Sequence, residues 1–174
     1  FKSRKRAVYN MRDIMGVLVE TPDKARARAI HAFWGGKGDA KEPWGRMGID
    51  KGEYMCLKML ADLRGRIVEV ASPDKDLWVV SSIDPVTHSL VTVMFNDADT
   101  TKQYKLDIKA PMGTEFVGAE QTELIHADTG LVQLMPAETE ASGKGYERTG
   151  YLGPHFASRT ALKLKGKPPA KPEV

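Results

Sequence analysis

The chain is poor in the residues that staple small proteins: one cysteine, Cys56, in 174 residues, so no intramolecular disulfide can form. Its four histidines, His31, His88, His126 and His155, are scattered, and with a single cysteine they give no zinc-ligand spacing. Long apolar runs are also missing. The best candidate, Ile14 to Val19, is interrupted by Gly16 and falls far short of the ~18 residues a membrane-crossing helix needs. Aromatic residues make up 7%. A disulfide scaffold, a zinc finger and a helical membrane span are thereby excluded. What remains is 41% hydrophobic and 28% charged, the composition of one ordinary domain with extensions. A chain of this length buries roughly 70% of its unfolded surface without help from metals.

The net charge of +3 is unevenly spread. Residues 1–31 hold eight Lys or Arg against three acids, 119–145 hold one against five, and 146–174 hold six against two. Basic ends around a near-neutral to acidic body describe anchoring arms on a larger assembly. A nucleic-acid binder carries its positive stripe on the folded module, so nucleic acid ranks below protein as a partner. The chain opens on Phe1-Lys2-Ser3-Arg4-Lys5-Arg6 rather than on Met. That is the composition expected just past an organellar transit peptide.

Thr21, Pro22 and Asp23 form a helix-start signal, and the Ala- and Arg-rich run after them predicts a helix over Pro22–Trp34, stopped at Gly35-Gly36. A loop follows to Gly48. Asp50 with Glu53 has capping-box spacing, and Tyr54, Leu57, Leu60 and Leu63 repeat every third residue, predicting a second helix over Lys51–Arg64 stopped by Gly65. Cys56 stands beside that stripe and is read as structural.

From Gly65 the apolar period changes to two. Ile67, Val68 and Val70; Leu77 to Ile83; Leu90 to Phe95; Tyr104, Leu106 and Ile108; and Phe116-Val117 read as five short strands. Between them lie Ser72-Pro73-Asp74, Asp84-Pro85, Asn96 to Asp99 and Pro111-Met112-Gly113, each a turn signal. Short turns imply antiparallel neighbours. The expected fold is mainly β with N-terminal helices: a small five-stranded antiparallel barrel of the SH3-like type, with extended N- and C-terminal arms. Residues 1–63 form the N-terminal extension with two helices, 64–118 the barrel, and 119–174 a hairpin (Thr122–Ile125 with Leu131–Leu134) followed by an extended tail. Tyr146, Tyr151 and Phe156 are spaced along the polar tail like anchors for a partner. On this reading, truncation after Pro136 leaves the barrel folded.

No catalytic constellation is legible. His88, His126 and His155 fall in turns or in the tail, and Asp97 with Asp99 has too few neighbouring ligands for a cation. Gly143-Lys144-Gly145 lacks the context of a phosphate loop. Trp78, Phe95, Tyr104 and Phe116 could build a methyl-lysine cage but read as core. The residues point to a binding or structural protein without catalytic, cofactor or metal residues. A Tudor- or KOW-like RNA-binding or ribosomal barrel is the alternative, prompted by Gly65 to Val70 and the basic arms.

Arg64-Gly65, Val68, Val70, Pro73 and Trp78, then Ile83-Asp84, Val91-Thr92-Val93-Met94-Phe95 and Thr101-Lys102-Gln103-Tyr104-Lys105-Leu106-Asp107 stand in an order that resembles reaction-centre subunit IV of photosystem I. The resemblance covers residues 64–108. It implies an SH3-like barrel on the stromal side of the chloroplast thylakoid, a non-catalytic docking subunit whose partners are other subunits of the complex and ferredoxin, with membrane contact only through that complex. Arg64, Arg66, Trp78, Lys102, Lys105, Tyr146, Tyr151 and Phe156 are the expected partner-binding residues. Two departures stand out: the loops after Trp78 and Phe95 are shorter than the family's, and Met94 replaces a basic residue.

Overall fold

The computed structural model describes residues 15, 51–68, 70–126, 131–135, 141 and 143–166. Among the described residues, helix α1 (Lys51–Ala61) precedes eight strands: β1 (Arg66–Val68), β2 (Leu77–Asp84), β3 (Ser89–Asn96), β4 (Lys102–Lys109), β5 (Thr114–His126), β6 (Leu131–Met135), β7 (Gly145–Leu152) and β8 (Ala157–Gly166). The helix expected over Pro22–Trp34 and the loop after it lie outside the described residues. The second expected helix is present, and its last turn tightens, with Leu63 N donating to Leu60 O at 3.0 Å. Gly65 ends it for a steric reason. Its φ is +74°, and a Cβ there would sit 2.3 Å from the Ile83 carbonyl oxygen, so only glycine lets β1 turn back onto β2.

Mainly antiparallel β structure is what the alternation foretold, but no barrel closes among the described residues. Six strands form one sheet in the order β1-β2-β3-β8-β5-β6, and β4 pairs with β7 in a separate sheet of two. The difference arises at β3 and β4. A chain of short turns suggests that β3 pairs with β4, whereas β3 takes β8 as its second neighbour, with Leu90 opposite Leu162 and Met94 opposite Ser158. Strand β4 leaves for the second sheet, pairing Lys102 with Leu152 through to Lys109 with Gly145. The C-terminal arm is corrected accordingly: residues 145–166 are two strands, and β8 sits between β3 and β5. Truncation after Pro136 would remove that central strand.

The large sheet is covered on both faces. On one, Cys56, Met59 and Leu60 of α1, together with Met15, pack on Ile67, Val80, Val91, Val93, Phe95 and Ala157. Cys56 is thus a core residue. On the other, β4 and β7 lie over two apolar clusters. Ile83, Leu90, Phe116, Tyr146, Leu162 and Leu164 form one; Leu77, Met94, Tyr104 and Leu152 form the second. A buried polar stripe separates them, running Ser81-Thr92-Thr160-Gln121 across β2, β3, β8 and β5. Burial favours hydrogen bonds between such groups, and two lie along the stripe. Ser81 Oγ and Thr92 Oγ1 lie 2.7 Å apart, and Gln121 Nε2 donates to Tyr104 Oη at 3.3 Å, tying the two sheets together. Opposite Tyr104 stands Gly150, where a Cβ would meet the phenol oxygen at 2.8 Å; the glycine makes room for the ring.

Candidate functional site

Strand β1 is only three residues long and pairs with Ser81, Ser82 and Ile83 of β2, so among the described residues the first half of β2 has no strand neighbour on that side. Strand β4 likewise pairs on one edge, with β7, among the described residues. Between these two incomplete edges the layers part, and a cleft of about 740 Å³ opens, within the range of ligand sites. Leu77, Val79, Ile83, Leu90, Met94 and the inward-facing Tyr104, Leu106 and Ile108 make its walls, with Ser81 at the end of the polar stripe. Ser72, Asp74, Gln103, Lys105 and Asp107 stand along its margin. The site is an apolar trough with a polar lip.

At one end of the lip, Lys102 gathers two carboxylates: its Nζ lies 3.1 Å from Asp74 Oδ2 and 2.8 Å from Asp76 Oδ2. The Asp76 backbone N–H donates to Asp74 Oδ1 at 2.9 Å. That hydrogen bond first, and Lys102 second, hold the Asp74 carboxyl below its ordinary 3.8. Hydrogen bonds to Asp76 and then Asp74 raise the Lys102 ammonium above its ordinary 10.5. Asp74 therefore carries no proton to donate at neutral pH. The cluster braces the lip and offers charge-assisted hydrogen bonds to a ligand's hydroxyls.

Beyond the lip, the chain folds around Asn96, which is fully buried. Its Nδ2 donates to the carbonyls of Thr100, Leu152 and Gly153 at 2.7–3.0 Å, fastening the β3–β4 loop to the β7–β8 turn. His155 closes the same corner with Nε2 2.9 Å from Asp99 Oδ1.

The residues expected to bind partners are dispersed. Arg64 is exposed and donates back to Ala61 O at the helix end, and Arg66 lies on β1. Trp78 stacks on Phe95 with ring centroids 5.9 Å apart, on the face that α1 covers. Lys102 braces the cleft. Tyr146 is buried between the sheets, and Phe156 packs at the edge of the Leu77-Met94 cluster. Only Lys105 and Tyr151 share a surface, the outer face of the two-stranded sheet. Asp74, Gln103, Leu77 and Val79 did not stand out in the sequence. The alternation of β4, one wall apolar and the other polar, is the signal that could have found Gln103; Asp74, Leu77 and Val79 had none.

No protein-family model matches this chain, and no curated protein matches it. Solved structures do share its fold. A glycoside hydrolase family 30 subfamily 8 xylanase from Clostridium acetobutylicum superposes with a TM-score of 0.61 at 8% identity, over 94% of this chain and 40% of that one. A family 30 endoxylanase from Clostridium papyrosolvens C71 gives 0.59 at 12%, over 93% of this chain and 39% of that one. A family 44 xyloglucanase from Paenibacillus polymyxa gives 0.52 at 14%, over 67% and 24%. The chain thus spans two fifths or less of the length of these enzymes. These neighbours correct the photosystem reading. The fold is one found in xylanases and a xyloglucanase, not that of a photosystem I subunit. With it go the photosynthetic docking role, the small-barrel RNA-binding alternative and the expectation of a protein outside catalysis. What the chain shares with these glycoside hydrolases is the fold.

Proposed function

We propose that this chain is the β-rich part of an enzyme that hydrolyses a polysaccharide of the xylan or glucan class, and that the cleft beside β4 receives the sugar chain. The observation that carries the reading is the shared fold over 93–94% of the chain with two xylanases. The cleft supports it chemically. A pyranose ring has apolar C–H faces and a rim of hydroxyls, matching apolar walls such as Val79, Leu106 and Tyr104 under a lip of Ser72, Asp74 and Gln103. Hydroxyls removed from water need such partners, since an unpaired buried polar group costs roughly 1–3 kcal/mol.

Glycoside hydrolysis uses two carboxyl groups, one of which arrives protonated. Asp74 does not suit that part, being held in its ionised form by the Asp76 N–H and Lys102. In this reading the described strands hold the substrate, and Asp74 binds it rather than donating the proton. Native electrophoresis of the full chain through gels cast with xylan, xyloglucan or soluble cellulose derivative tests the binding step. Retarded migration in at least one of them is the expected result. Unchanged mobility in all three would overturn the reading.

A further inference from the structure

The outer face of the β4–β7 sheet carries a second feature of the same chemistry. Tyr151 is 69% exposed, the one aromatic among the large apolar side chains left in water in the described residues. It stands opposite Gln103, with Lys105 opposite Thr149 and Asp107 opposite Glu147, and all of these are exposed. The register runs unshifted from Lys102↔Leu152 to Lys109↔Gly145, an even strip roughly 24 Å long. Its charges come as opposites. Lys105 Nζ lies 3.1 Å from Glu147 Oε2, and Asp107 stands between Lys105 and Lys109 along β4. A polyanion finds no net charge to hold it there. A neutral sugar chain finds a ring to stack on and amide, hydroxyl and charged groups beside it.

We infer that this face is a binding platform for a neutral polysaccharide of the xylan or glucan class, with Tyr151 as its stacking surface. The inference rests on the reading proposed above and adds a second site to it. Gln103, Lys105 and Asp107 also line the cleft, so platform and cleft meet across β4, and one glycan chain can pass from the ring over the strand edge into the trough. The phenol ring supplies the contact through its face, which packs against C–H groups; the hydroxyl is secondary.

The test is an NMR titration of the isotope-labelled full chain with xylohexaose and with cellohexaose. Amide shifts at Gln103, Lys105, Thr149 and Tyr151 are expected with at least one sugar. Tyr151→Ala should weaken the affinity read at those amides about tenfold or more, which is about 1.4 kcal/mol, while Tyr151→Phe stays within about threefold. The exposure of Tyr151 lets both variants keep the wild-type unfolding temperature, so loss of folding would not explain the change. Shifts confined to cleft residues such as Leu77, Val79 and Leu106 would overturn the platform and leave the proposed function standing. No shift with either sugar would overturn both. Shifts at Tyr151 that depend on protein concentration and not on sugar would assign the face to protein contact and likewise overturn the platform.

Discussion

Strands β3 and β4 follow each other in the chain yet are written in different patterns, and the contrast separates what holds this molecule together from what it presents to a ligand. In β3, Ser-Leu-Val-Thr-Val-Met-Phe-Asn, every residue after Ser89 is buried, because α1 covers one face and the small sheet the other. The two polar residues in that run, Thr92 and Asn96, have hydrogen-bond partners within the fold. In β4, Lys-Gln-Tyr-Lys-Leu-Asp-Ile-Lys, exposure alternates: Tyr104, Leu106 and Ile108 turn to the large sheet, and Gln103, Lys105 and Asp107 turn to water. A strand covered twice loses its period; a strand covered once keeps it. The surfaces proposed to meet carbohydrate lie on the two sides of the second kind of strand.

The hardest way to break the large sheet is to remove its central partner. A chain ending before Ala157 loses β8 from between β3 and β5 and is expected to lose cooperative thermal unfolding and near-UV circular dichroism altogether. Phe95→Ala, which empties a fully buried position against Trp78, should cost about 3–5 kcal/mol in urea unfolding. Thr92→Val keeps the shape but leaves Ser81 Oγ without its buried partner, and about 1–3 kcal/mol is expected from the same measurement. On β4 the scale collapses: Lys105→Ala removes an exposed ion pair with Glu147 and should change stability by less than about 0.5 kcal/mol. A large effect at Lys105 together with a small one at Phe95 would invert the comparison.

Acid provides a further contrast within the large sheet. At the β2–β3 turn, the Asp84 carboxylate accepts from the Val86 N–H at 2.8 Å and from the Thr87 hydroxyl at 2.9 Å. The Val86 hydrogen bond foremost, against the opposing effect of burial, holds its pKa below the ordinary 3.8. A depressed carboxyl stabilises the fold at pH above its unfolded value, and that contribution is lost as pH falls from 3.8 through the folded value. Asp84→Asn should therefore flatten the decline of stability in that acid range, read as unfolding temperature against pH. An unchanged slope would contradict the assignment.

Much of the local structure was legible because local signals wrote it. The apolar runs at Leu77–Ile83 and Leu90–Phe95 and the alternating run at Tyr104–Ile108 are strands, the three-residue repeat after Asp50 is a helix, and Gly65 ends it. The partnering was not legible, since which strand lies beside β3 is decided by residues more than sixty positions away. Strand β8 lay inside the stretch read as an extended tail: Ser158 and Thr160 interrupt its apolar residues, yet both are buried. Strand β7 was hidden by Gly145 and Gly150, the second of which is there to admit the Tyr104 ring. The short apolar patterns that resembled a photosystem subunit are what any half-buried antiparallel strand produces, so they carried the class of structure and misassigned the fold. The cleft had no motif to announce it. It exists because β1 is too short to cover β2, a fact of pairing rather than of any one residue.

The account stands on the claim that this fold serves polysaccharide hydrolysis. Its most direct test is the release of new reducing ends from xylan, xyloglucan and soluble cellulose derivative by the full polypeptide that carries this chain. Release from at least one of them is the predicted result. No release from any of the three would contradict it.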